Sequence, residues 1–347
     1  MKKITSLLLV LVMVLGVFAL VGCSNTGDDT AATTAATEDH TTEADGKGGA
    51  LKLGLGLKIS ASATDASAEA NGAGQVTVTA AAVLVDADGK IVKAFIDCSD
   101  NAAEYTTAGK AVSATEFKTK YEAGANYGMV AFGGAAKEWY EQADAFCSVI
   151  VGKTADEVKA LVAADYKGTE DVVNAGCTIY VSDFALAVED AIKNATATKA
   201  TKSAELKLGV ATTQTITDAT ADAAGLSKLE TVFFAAAVDA NGKVIASTAD
   251  SVEVEFTFNA NGKSTFDATK GVLSKRQKGD NYGMVANGGA VAEWYAQADA
   301  FCAQTVGKAA ADMAGLMGPD YKGNDDVKAA GCTIYVTGLV KAAAKIG

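Results

Sequence analysis

Between residues 51 and 59 Leu alternates with Lys or Gly, the period-two pattern of a half-buried strand. A β-rich run follows at 76–85, and Asp88-Gly89 ahead of Ile91-Val92 predicts a hairpin. The period then lengthens. Ala136, Trp139, Tyr140, Ala143, Phe146, Cys147 and Ile150 keep helical spacing after Gly133-Gly134, which predicts a helix opened by that glycine pair. Thr154 with Glu157 three residues on is a capping-box pattern for a second, shorter helix. A third is expected from about Ser182, with Phe184, Val188, Ala191 and Ile192 on one side. Strands first and helices afterwards predict an α+β fold, an antiparallel sheet packed by about three helices.

This pattern is written twice. Tyr127–Lys153 matches Tyr282–Lys308, Asp165-Tyr166-Lys167-Gly168 matches Asp320-Tyr321-Lys322-Gly323, and the seven residues from Ala175 recur from Ala330, all at an offset of 155. The same offset lays Leu51-Lys52-Leu53-Gly54 on Leu206-Lys207-Leu208-Gly209, and Asn241-Gly242 stands where Asp88-Gly89 predicts the first hairpin. A period this long indicates a duplicated domain rather than a solenoid. The expected domains are 51–199 and 205–347, joined through a small, polar stretch, and each is expected to fold by itself.

What precedes them has another character. Lys2 and Lys3 stand before an apolar run at 7–21, which reads as a secretory signal over 1–22 and is too short for a comfortable membrane span. Leu20-Val21-Gly22-Cys23 resembles the bacterial lipobox, which implies cleavage before Cys23 and lipid on its thiol, and so an extracytoplasmic protein anchored to the cell membrane. Residues 24–50 lack aromatic and large aliphatic side chains and are expected to form a disordered tether.

Charge and composition narrow the chemistry. Without Lys2 and Lys3 the chain carries 28 basic and 42 acidic residues, a net of −14, which argues against nucleic acid as a partner. His40 is the single histidine, so a catalytic triad or a His-based metal site has almost nothing to be built from. With Cys23 lipidated, five cysteines remain. Cys147 with Cys177 and Cys302 with Cys332 are equally spaced pairs, expected to form one disulfide per domain; the alternative is that Cys147 and Cys302 are simply buried small hydrophobes. Cys98 faces Ser251 in the second copy and is the odd thiol.

Candidate binding features repeat as well. A Gly-Gly turn at a helix start, Gly133-Gly134 and Gly288-Gly289, presents backbone N–H groups to a phosphate, or only meets a steric need of the turn. Trp139, Tyr140, Trp294 and Tyr295 either stack on a planar ligand or belong to the core. Gly176-Cys177-Thr178 and Gly331-Cys332-Thr333 read as a tight turn before a helix.

The order of these elements, from the Asp-Gly-Lys-Ile hairpin to the small-Gly-small-Thr-Ile turn, resembles the FMN-binding domain of exported bacterial flavoproteins. That resemblance implies FMN as cofactor, with Thr178 and Thr333 as phosphoester acceptors, Gly176 and Gly331 as turn glycines and Asp171 and Asp326 as upstream acids. It implies an electron carrier rather than a catalyst, passing electrons between a membrane donor and an extracellular acceptor. The other expectation is a redox-silent surface lipoprotein that binds a small ligand or an envelope protein.

Overall fold

The computed structural model describes residues 49–347; the signal, Cys23 and all but the last two residues of the expected tether lie outside them. In each half three long strands form an antiparallel meander. The first half has β1 (Lys52–Thr64), β2 (Gly72–Val85) and β3 (Ile91–Tyr105), with the two-residue β4 (Thr196–Ala197) pairing at the edge of β1. The second has β5 (Glu205–Thr217), β6 (Gly225–Val238) and β7 (Val244–Phe258). The sheet orders are β3-β2-β1-β4 and β5-β6-β7. The fold is therefore α+β with two antiparallel sheets.

The Leu-Gly alternation of β1 has a use on both faces. Leu53, Leu55 and Leu57 are buried in the core between the sheets. On the opposite face, a Cβ on Gly54 would run into the carbonyl of Ala191 and one on Gly56 into the backbone of Ala187 and Ala191. The helix Ser182–Lys193 thus lies directly on the strand backbone, an approach that a side chain at Gly54 or Gly56 would block. Gly209 admits the carbonyl of Ala342 in the same way.

The helices expected near Thr154 and Ser182 are present as Ala155–Lys159, capped by Thr154, and Ser182–Lys193. Two short helices, Lys120–Ala123 and Glu170–Ala175, were not foreseen. The Gly133-Gly134 expectation fails. The long helix begins at Trp139, with Glu138 as its N-cap, and Gly288 instead closes a short helix, Met284–Gly288. Gly134 and Gly289 adopt φ of 66° and 62°, the left-handed conformation that glycine takes most easily after a turn or helix end.

The strand equivalence also differs from the sequence match. Lys52 pairs with Val85 and Glu205 with Val238, an offset of 153, so Leu53 corresponds to Leu206 rather than Leu208. The helices keep 155, because 15 residues (259–273) connect β7 to Ser274 where 13 (106–118) connect β3 to Thr119. The repeated Leu-Lys-Leu-Gly is a register coincidence in a strand whose apolar residues recur every second position.

Independent folding of the halves is not what the packing supports, since the described residues form one compact unit. Each sheet has its helices on one face, and its other face meets the other sheet. Val76, Val78, Ala80, Ala82 and Leu84 of β2 share a core with Leu229, Phe233, Ala235 and Ala237 of β6. Contacts across this junction are exchanged reciprocally. Ala66 N–H donates to Gly262 O and Ala219 N–H to Gly109 O, both at 2.8 Å. Asp65 accepts from Lys263 and from Ser264 N–H, and Asp218 from Lys110 and from Ala111 N–H. Tyr105 stacks on its counterpart Phe258 at 4.4 Å.

Candidate functional site

The residues suggested by the flavin resemblance are held by internal hydrogen bonds. Thr178 donates both its N–H (2.8 Å) and its hydroxyl (3.0 Å) to Oε1 of the buried Gln142, whose amide group donates to Lys137 O. Thr333 makes the same two bonds to Gln297, at 2.8 and 3.0 Å. Gly176 caps the short helix before it and Gly331 follows the Ala330 cap of its counterpart, with φ of 105° and 107°. Asp171 and Asp326 are exposed in the first turn of those short helices.

The turn amides beside Gly133-Gly134 are satisfied too. Met129 and Val130 donate their N–H groups to the two carboxylate oxygens of Glu138, at 2.9 and 3.1 Å. Met284 and Val285 bind Glu293 in the same way, both at 3.0 Å. A side-chain carboxylate occupies the position an exogenous phosphate would need. Trp139 and Trp294 are buried, which favours the core reading of these rings. Cys147 and Cys177 share one buried core, as do Cys302 and Cys332, and all four are thiols. Burial pushes the Cys98 thiol up to about 12 and the Cys302 thiol likewise to about 12.

A second constellation, absent from the sequence reading, surrounds a lysine in each half. Asp97, buried on β3, accepts from Cys98 N–H and Tyr121 N–H at 2.6 and 3.1 Å. Asp250 accepts from Ser251 N–H, Arg276 N–H and the Ser274 hydroxyl. Burial raises each carboxyl to about 6, against the lowering effect of those bonds. Each aspartate thus ties a one-turn helix to the sheet, and the first residue of that helix is Lys120 or Lys275.

Both lysines sit between aromatic rings. Lys120 Nζ lies 5.2 Å from the Tyr127 ring centre and 6.0 Å from that of Trp139. For Lys275 the distances are 5.2 Å to Tyr282 and 5.6 Å to Trp294. Such contacts contribute about 0.5–2 kcal/mol each, more where water is excluded. Burial works against both charges. Around Lys120 it is outweighed by Cys98 and Tyr127, where these ionise, and by the Asp100 carboxylate, and around Lys275 by Glu230 and Glu253, so both ammonium groups are held above the ordinary lysine range. At neutral pH they act as fixed cations, not as bases.

Their anionic partners differ. Lys275 Nζ is 2.6 Å from Glu230 and 3.4 Å from Glu253, residues directly opposite one another on β6 and β7. Among the described residues Lys120 has a single carboxylate partner, Asp100 at 3.5 Å, and the residue opposite Asp100 is Thr77. The useful sequence signal was the lysine seven residues before each Tyr-Gly-Met, retained while its neighbours Tyr121/Arg276 and Glu122/Gln277 changed.

Comparison with family models, with curated proteins and with solved structures finds no match to this chain. Among the described residues no cluster of His, Cys, Asp or Glu is placed to hold a metal ion, and no helix is long and apolar enough to cross a membrane.

Proposed function

We propose that this chain is an extracytoplasmic lipoprotein, anchored through Cys23, whose body is a duplicated domain serving as a redox-silent ligand-binding module at the cell surface. The lipobox-like end of the signal and the polar tether that follows support the location. The repeated sequence and the matched strand lengths of 13, 14 and 15 residues support the duplication. The observation that carries the binding reading is the Lys120 cage, a caged cation with one loosely placed carboxylate beside it. Thr178 and Thr333, by contrast, already spend their hydroxyl protons on buried glutamines, which favours a structural role over flavin attachment.

In an oxidising compartment Cys147 and Cys177 would each give up a hydrogen to the ambient thiol oxidant and join, as would Cys302 and Cys332. Non-reducing peptide maps of exported protein should show these two links and Cys98 free.

Protein purified from its native membrane tests the rest. It should show no flavin absorption and an intact mass equal to the lipid-modified polypeptide, and Cys23→Ala should release it from the membrane fraction. A flavin-sized mass on a peptide containing Thr178 or Thr333 would restore the electron-carrier reading. Retention of the Cys23→Ala variant at the membrane would remove the anchor.

A further inference from the structure

The second half places a carboxylate, Glu230, where the first has the shorter Thr77. Glu230 Oε1 accepts from Lys275 Nζ at 2.6 Å and from the Ser251 hydroxyl at 3.1 Å. Thr77 stands at the same strand position in the first half, as its pairing with Asp100 and the pairing of Glu230 with Glu253 show. A threonine is too short to reach as Glu230 does, and its hydroxyl donates to Asp100 Oδ1 at 2.8 Å. Lys120 carries three N–H donors, and Asp100 at 3.5 Å together with the Tyr127 hydroxyl does not use them up. Its side chain is 16% exposed against 6% for Lys275, so the first cage is the more open of the two.

The rim differs in the same direction. Phe132, 91% exposed, lies over Gly128, the residue after the cage tyrosine, whereas Asn287 occupies that place over Gly283. An exposed ring next to the turn that follows the cage tyrosine suits a ligand with a negative head and an apolar body.

From this contrast we propose that the Lys120 cage binds a carboxylate ligand from outside, its head group taking the place that the Glu230 carboxylate takes in the second half. The proposal rests on the binding-module reading and names its ligand class. A monoanion fits better than a phosphate dianion, because Asp100 adjoins that place and the chain is acidic throughout. The second half, on this account, is the same site closed by its own glutamate.

The chain has two tryptophans, one in each cage, which makes the test direct. In detergent-solubilised full-length protein at pH 7 and constant ionic strength, the indole N–H resonances of Trp139 and Trp294 are followed while chloride is exchanged for acetate, then for benzoate. Acetate should shift Trp139 saturably and leave Trp294 in place, with benzoate saturating at several-fold lower concentration because its ring meets Phe132. Thr77→Glu should abolish the Trp139 response, and Glu230→Thr should create one at Trp294, both in variants whose spectra show folded protein. No shift, equal shifts of both indoles, or an unchanged response in Thr77→Glu would overturn the proposal. Flavin absorption reports separately on the broader reading, so the two failures are distinguishable.

Discussion

The two halves share a frame and differ in how they treat one charge. Lys275 is almost wholly buried, but two glutamates and two rings enclose it, and the like charges of Glu230 and Glu253, directly opposed across the strands, are separated by that same lysine. Lys120 has the same rings, one carboxylate and more water. Burying an ammonium is tolerable only where partners replace its hydration. The second half meets that condition within the chain, and the first meets it only in part. A shared frame whose central charge is less completely partnered in the first half supports the site proposed there.

The contacts between the halves show a similar divergence. Glu122 bonds to Lys345 of the second half, and at the corresponding places Gln277 bonds to Asp190 of the first. Two first halves brought together would set Glu122 against Asp190, so these pairs favour joining unlike halves. The largest expected effect follows from this junction. A polypeptide ending at residue 199 would expose Leu53, Leu55, Leu57, Val76 and Val78, all buried between the sheets, and should aggregate or melt without a cooperative transition. A monomeric fragment with a sharp thermal transition would show instead that each half is self-sufficient.

The cages themselves give the next effect. Lys275→Met leaves Glu230 and Glu253 facing each other without their shared cation and should cost about 3 kcal/mol in urea denaturation. Lys120→Met leaves only Asp100, which keeps the Thr77 and Gln75 hydrogen bonds, and should cost about 1 kcal/mol. Equal losses would mean that the two lysines do the same structural work, contrary to the difference drawn between them.

In one respect the halves should behave alike. Asp97 and Asp250 are raised by burial from 3.8 to about 6, so the folded state holds their protons more tightly than the unfolded state does. Stability from this source is fully present below pH 4 and is lost as pH rises to about 6, on the order of 3 kcal/mol for each aspartate. Asp97→Asn keeps the acceptor oxygen for Cys98 and Tyr121 and should remove its share of that loss. The check is the difference in urea midpoint between parent and variant at pH 4 and pH 7. Carboxylates held below the ordinary range by their hydrogen bonds, such as Asp65 and Asp218, act at lower pH in both proteins and cancel in that difference.

Local elements were readable in the chain because local chemistry determines them. The Leu alternation of β1, the Asp88-Gly89 hairpin and the Thr154 box need only near neighbours. The junction was not legible, because Ala80, Ala82 and Leu84 look the same whether their face meets a helix or another sheet. The Gly133-Gly134 reading failed because Glu138, the residue that fills the turn, reads as an ordinary helix-surface acid. Lys120 and Lys275 were hidden among other lysines. Their significance depends on rings 7 and 19 residues away and on strand positions that a constant 155-residue offset misaligns by two.

The smallest predicted effect concerns a feature the halves hold in common. Tyr166 and Tyr321 adopt φ of 66° and 62° and are the only non-glycine residues with positive φ among those described. Each follows a turn closed by its own N–H, to Ala163 O or Gly318 O, at a position that glycine occupies without strain. Their rings are 64% and 61% exposed, so little packing is lost on removal. Tyr166→Gly and Tyr321→Gly should each stabilise the protein by about 0.5 kcal/mol, the relief of strain exceeding the extra freedom glycine gives the unfolded chain. Thermal unfolding of the two variants measures this, and the gains should match because the turns match. A loss in one half alone would show that its ring is held by contacts the other lacks, and would extend the difference between the halves from the cages to this turn.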